Sequence, residues 1–211
     1  MVKATAEPRR SLREARKELT REALLDAAHA AFEENGYVTV TVDDIVRRAG
    51  AGRGTFYLYF DSKAAVFQAV LEKLEIREQY LALLARLAAI ETPTVDALEA
   101  WFGEYADLYL KNRAFHRAFH QAQAVEPAFT DIVLQYLAEA VSQWSLPAFA
   151  PDADSEELRL TALANYVMAE GIMHLWLVHG LQIDRAKTLR VLAEQLYAAL
   201  HGVGAPSPAE S

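Results

Sequence analysis

The 211-residue chain contains no cysteine. That excludes a disulfide framework and every thiolate metal site. Long apolar runs are also missing. None approaches the ~18 residues that a membrane-spanning helix needs. The first residues are polar and basic and carry no apolar segment of the kind a secretory signal requires. A soluble, cytoplasmic protein with no membrane partner is therefore the expectation. Strand-like alternation is scarce, no glycine-rich phosphate loop follows a strand, and no serine sits on a nucleophile elbow. An enzyme is not expected, and neither is a cofactor.

Positive charge is in short supply overall, with a net charge of −8. Its distribution matters more than its sum. Residues 1–63 hold 11 Lys/Arg against 10 Asp/Glu, a balance of +1, while the remainder holds 10 against 19, a balance of −9. A locally basic end on an acidic body suits a small nucleic-acid-binding head carried by a part that does not touch nucleic acid. Apolar residues make up 53% of the chain, enough for a large core, a subunit interface, or both.

Apolar spacing reads as helix nearly throughout. A polar, basic arm over residues 1–15 is expected to be disordered. A first helix over 16–34 carries Leu24, Ala27, Ala28, Ala31 and Phe32, and Asn35-Gly36 stops it. Thr41 opens a second helix, with Asp44 completing a capping-box pair, and Gly50 ends it. After Ala51-Gly52 comes a short helix over 53–59. Asp61-Ser62 caps a fourth, whose pattern runs on towards Ala89. Thr92-Pro93-Thr94 breaks the chain before helices at 94–111, 113–123, 126–146, 155–179 and 184–200. Residues 147–154 read as a loop, and Ser155 and Asp184 as helix starts. The organisation expected is an arm (1–15), a helix-turn-helix domain (16–63), a helical ligand-binding and dimerisation domain (64–201) and a flexible tail (202–211). The fold class is all-α.

Residues 41–63, TVDDIVRRAGAGRGTFYLYFDSK, combine a capped helix, a tight small-residue turn and a short second helix. This is the pattern of a helix-turn-helix. The second helix must offer a small, polar N-terminal face to the major groove, and Arg53, Gly54 and Thr55 supply one. Arg53 suits a guanine edge and the Thr55 methyl a thymine methyl. Tyr57, Tyr59 and Lys63 then suit phosphates, as does Thr41 at a helix start. Phe56 and Phe60 read as core, and Arg47 and Arg48 as a solvated face.

From Arg21 to Lys73 the sequence resembles the DNA-binding domain of TetR-family repressors. The matching positions are Ala27-Ala28, Phe32, Gly36-Tyr37, Thr41-Val42, Ile45, Ala49-Gly50, Gly54-Thr55, Tyr57, Tyr59-Phe60, Ser62-Lys63 and Phe67. Gly52 and Leu58 depart from it: the family often has serine or another polar residue at the first and a polar or aromatic residue at the second. The resemblance implies an all-helical homodimer paired through helices at about 155–179 and 184–200. It implies a palindromic double-stranded DNA operator, contacted by Thr41, Arg53, Gly54, Thr55, Tyr57, Tyr59 and Lys63. It also implies an apolar small-molecule effector that enters a pocket in the middle helices and releases the operator.

Aromatic side chains cluster in the body. Trp101, Tyr105, Tyr109 and Tyr166, whose polar tips want partners, are the pocket-lining candidates, with His120 and His174 as further donors. His116/His120 and Glu170/His174 each stand four apart, which is metal-ligand spacing. No HExxH or carboxylate-bridged pattern accompanies them, so no metal is expected. The competing reading is a helical-bundle enzyme or metal-binding protein built on these two pairs. A third is an interaction protein with a degenerate head.

Overall fold

The computed structural model describes residues 12–91, 93–143 and 155–202. The sequence expectations for an arm over 1–11, a loop over 147–154 and a tail beyond residue 202, and Trp144 with them, fall outside these residues. Among the described residues there is no strand, and no helix is long and apolar enough to cross a membrane. The chain forms two compact units, Met1–Leu74 and Glu75–Ser211.

The first unit holds α1 (Leu12–Thr39), α2 (Val42–Ala49), α3 (Arg53–Tyr57) and α4 (Lys63–Lys73). Residues 12–15, expected in the arm, are already helical. Gly36 interrupts the helical path at φ 74°, ψ −179°, a backbone that side chains with a Cβ resist. This bend carries Tyr37 back into the core, where it packs against Phe32 and Phe67 with ring centroids 5.7 and 5.1 Å away. α1 packs against both α2 and α4. Leu24, Leu25, Ala28, Ile45, Phe56, Val66 and Val70 complete an apolar centre around that aromatic group. Lys73 reaches Glu22 and Asp26 on α1, at 2.5 and 2.7 Å, and pins the far end of α4.

The sequence pattern runs without a break from α4 towards Ala89, but the helix does not. Glu75 takes a left-handed backbone, φ 51°, and α5 (Ile76–Ala88) begins as a separate helix. No glycine or proline marks this break. α4 packs on α1 in the first unit, and α5 packs on α6 (Val95–Lys111) and α8 (Pro127–Gln143) in the second.

The second unit continues with α7 (Arg113–Val125), α9 (Ser155–Met173) and α10 (Arg185–Gly202). Thr94 caps α6 by accepting from the Ala97 N–H at 3.1 Å, and Asp184 caps α10 by accepting from the Lys187 N–H at 2.8 Å. α6 and α10 form the most extensive helix pair, with Arg190 on α10 bridging Asp96 and Glu99 on α6. After Met173 the helix widens into a π turn over His174–Val178, closed by the His179 N–H on the His174 carbonyl. Such turns insert a residue and are frequent at functional sites.

Candidate nucleic-acid interface

α2 and α3 form the helix-turn-helix. Thr41 caps α2 reciprocally. Its Oγ1 accepts from the Asp44 N–H at 3.2 Å, and the Asp44 carboxylate accepts from the Thr41 N–H at 3.0 Å and the Thr41 hydroxyl at 2.6 Å. Gly50 ends α2 in the left-handed region, φ 64°, and its N–H reaches back to the α2 carbonyls. Two residues later α3 starts. Its one fully buried side chain, Phe56, anchors it, with Phe60 beside it at 5.7 Å. Both behave as the core aromatics expected.

The rest of α3 is left facing out. Arg53, Gly54 and Tyr57 are exposed and Thr55 is half-buried, as is Tyr59 in the turn that follows the helix. Gly54, inside α3, carries no intramolecular reason to be glycine, whereas Gly52 is the N-cap of α3, a position that suits glycine. Neither has a positive φ, and a Cβ built on either meets nothing within 4 Å. Glycine in an open helix costs about 0.5–1 kcal/mol relative to alanine. A close approach by something outside the chain would explain retaining it.

Charge on this face is already paired. Arg53 Nη1 lies 3.3 Å from the Asp43 carboxylate, a partner that sequence reasoning missed because the two are ten residues apart. Arg48 makes a fork to Glu34 at 2.9 and 2.5 Å, and Arg47 pairs with Asp44. These are the solvated pairs of a helix face, as expected for both. Lys63 sits over the Tyr37 ring at 4.2 Å and donates to the Tyr37 carbonyl at 2.9 Å. It thus secures the N-terminus of α4, a role its sequence position does not announce. All seven expected DNA-facing residues lie in the helix-turn-helix or at the helix starts that flank it.

The body residues divide into two groups. Trp101, Tyr105 and Tyr166 line one apolar cavity with Tyr80, Leu83, Phe102, Tyr136 and Leu196. Its volume is about 30 Å³, room for one or two waters. Trp101 already donates its indole N–H to the Leu83 carbonyl at 2.9 Å and stacks on Tyr105. Burial raises the Tyr105 and Tyr166 phenols well above their ordinary range, so both stay protonated.

Tyr109, His120 and His174 gather instead around Glu170. The carboxylate lies 2.9 Å from His120 Nε2 and accepts from the Tyr109 hydroxyl at 2.9 Å. Tyr109 is also 3.1 Å from His174 Nδ1, and His174 Nε2 is 3.2 Å from His179 Nε2. Burial pushes Glu170 up, but the hydrogen bonds from His120 and Tyr109 outweigh it, so the carboxylate stays ionised. His174 is pushed down to about 4, chiefly by burial. His116, paired with His120 in the competing metal-binding reading, does not join them. It is buried, stacks on Tyr109 at 3.6 Å and pairs with the Tyr80 hydroxyl at 2.5 Å. Burial holds it neutral, its pKa lowered to about 3.

Residues 24–70 match the family model described as bacterial regulatory proteins, tetR family. The HTH-type transcriptional regulator YvdT of Bacillus subtilis is 45% identical over 53 residues, 25% of this chain and 27% of its own length. The HTH-type transcriptional regulator TtgR of Pseudomonas putida is 27% identical over 182 residues, 78% of this chain and 83% of its own. The HTH-type transcriptional repressor BepR of Brucella suis is 34% identical over 87 residues, 38% of this chain and 42% of its own. Among solved structures, a tetR-family regulator from Streptomyces coelicolor superposes with a TM-score of 0.64 at 24% identity, over 87% of this chain and 80% of that one. A TetR-like regulator from Rhodococcus does so with a TM-score of 0.57 at 18% identity, over 93% and 100%. These two show a shared fold.

Proposed function

We propose that the chain is a member of the TetR family of bacterial transcriptional regulators, as its match to the family model over residues 24–70 supports, and that it is a homodimeric repressor released from a palindromic operator by a small, largely apolar ligand. The observation that carries the DNA half is the bare N-terminal face of α3, where Gly54 leaves space that the fold does not require. A helix presented this way can bring its backbone close to base edges in the major groove. In this reading Arg53 leaves Asp43 for a guanine edge, Thr55 meets a thymine methyl, and Tyr57, Tyr59, Lys63 and Thr41 meet phosphates.

The dimer reading is supported by the last helices. Leu160 and Val167 on α9 and Leu175 in the π turn recur every seven to eight residues and are 59, 57 and 52% exposed. Val191 on α10 adds another exposed apolar side chain. Isolated exposed apolar residues are ordinary, but a spaced stripe on one helix is what a second copy would cover. The ligand half rests on the aromatic-lined cavity of the body. At about 30 Å³ it is far below the 300–1,000 Å³ of a typical ligand pocket, so an effector must open it. Opening a closed cavity costs packing, and that cost gives a ligand the differential affinity for a second state that release requires.

Selection of bound fragments from sheared genomic DNA tests this reading. It should enrich an inverted repeat whose half-site centres lie about 34 Å apart or a multiple of that. Enrichment of sites without two-fold symmetry would overturn the dimeric reading of the operator.

A further inference from the structure

We propose that His120, Glu170 and His174 form a binding site for one divalent transition-metal ion of the zinc, cobalt and nickel class. One ligand atom from each of the three lies within 4.8 Å of the others. Two imidazoles and a carboxylate are the donor set of three-ligand zinc sites that keep a fourth position open. Imidazole nitrogen favours such ions over magnesium and calcium, which prefer all-oxygen shells.

The placement needs two separated helices and one irregular turn. α7 supplies His120. α9 supplies Glu170, and one turn later the first residue of the π turn supplies His174. The spread is close to what an ion needs. Bonds of about 2.0–2.2 Å in a tetrahedron set ligand atoms roughly 3.4 Å apart. His120 Nε2 and the Glu170 oxygen are now 2.9 Å apart, and the three ligand atoms all lie within 4.8 Å of one another. The His120 and His174 rings are stacked at 3.7 Å, and rotation about their side-chain bonds would have to bring the ligand atoms to that spacing. The side chains of His120 and Glu170 are 34 and 21% exposed, so an ion has a way in.

A hydrogen-bonded core cluster would account for Glu170 with His120 and Tyr109 alone. It does not account for the π turn. In an α-helix, residues five apart point about 140° away from each other. The π turn instead brings His179 Nε2 to 3.2 Å from His174 Nε2. A third imidazole and the Tyr109 hydroxyl, 2.9 Å from Glu170, thus stand around the set, either able to fill the open position or to orient a ligand ring. Net charge favours the ion as well, since Glu170 is the carboxylate of the group and its neighbours there are imidazoles and a phenol.

The test titrates the full-length protein, stripped with chelator and dialysed, with Co²⁺ while following its visible ligand-field absorption. One Co²⁺ per chain should bind, Zn²⁺ should displace it, and excess Mg²⁺ should not. His120→Ala and His174→Ala should each weaken Co²⁺ binding at least about 100-fold. Glu170→Gln, which keeps the shape and hydrogen-bonding capacity of the side chain, should do the same with an unchanged far-ultraviolet circular dichroism spectrum. His29→Ala, in the first unit, should leave binding unaltered. The absence of a cobalt band in the folded wild type would overturn the proposal. So would a band that survives all three ligand substitutions.

Discussion

Acidification should destabilise this protein through His116 before its carboxylates titrate. His116 is 8% exposed, lies parallel to the Tyr109 ring at 3.6 Å and meets the Tyr80 hydroxyl at 2.5 Å. Among the described residues no carboxylate is hydrogen-bonded to it, and the nearby Glu170 does not offset the cost of burying a charge among rings. Its pKa is accordingly pushed down to about 3 from 6.5. The unfolded chain takes up that proton near pH 6.5 and the folded chain does not. Stability is therefore fully present above pH 6.5 and falls as the pH drops towards 3. The slope is about 1.4 kcal/mol per pH unit wherever only the unfolded state is protonated. Between pH 6 and 5 this is a sizeable part of a domain's 5–15 kcal/mol. His174, also lowered, adds to the wild-type slope with the same sign. The assay is urea denaturation at fixed protein concentration at pH 7, 6 and 5, comparing wild type with His116→Gln. The variant should be less stable at pH 7 and show a shallower slope, by roughly 1 kcal/mol per pH unit. Parallel slopes would refute the assignment of a neutral, proton-excluding His116.

Other expectations follow from the head and the dimer reading. Gly54→Ala should leave thermal stability equal or raised by up to about 1 kcal/mol, because the added Cβ meets nothing, whereas Gly54→Leu should abolish operator binding in a mobility-shift assay while the head stays folded. Thr41→Ala should lose about 1 kcal/mol in chemical denaturation through the broken cap, and Thr41→Ser should restore most of it. Leu160→Glu with Val167→Glu should shift the sedimentation coefficient to that of a monomer. An unchanged dimer would move the interface to another face.

What was legible in the sequence was what is local. The capping box of α2, the Gly50 stop, the caps at Thr94 and Asp184 and the buried faces of Phe56 and Phe60 each depend on neighbours within a few residues. The chain's own letters display such neighbours. The break at Glu75 was not legible, because apolar spacing continues through it and no glycine or proline marks it. Tertiary pairs were equally hidden. Nothing near Arg53 or Lys63 in the sequence announces that Asp43 lies beside the one or that Tyr37 lies beneath the other. In the body, spacing suggested His116 with His120 and Glu170 with His174. The fold instead joins His120 to Glu170 across 50 residues and turns His116 towards Tyr80. His179 could be placed near His174 only once the π turn was seen. Five-residue spacing is no signal on an α-helix.

The central claim is that the exposed face of α3 reads DNA sequence. The direct test is fluorescence anisotropy of the protein on DNA from immediately upstream of its own gene, with excess unrelated competitor, at two salt concentrations. The account predicts tight, competitor-resistant binding by the wild type, lost in Thr55→Ala with Tyr57→Ala while thermal unfolding of that variant is nearly unchanged. Retention of competitor-resistant binding by the doubly substituted, folded protein would contradict it.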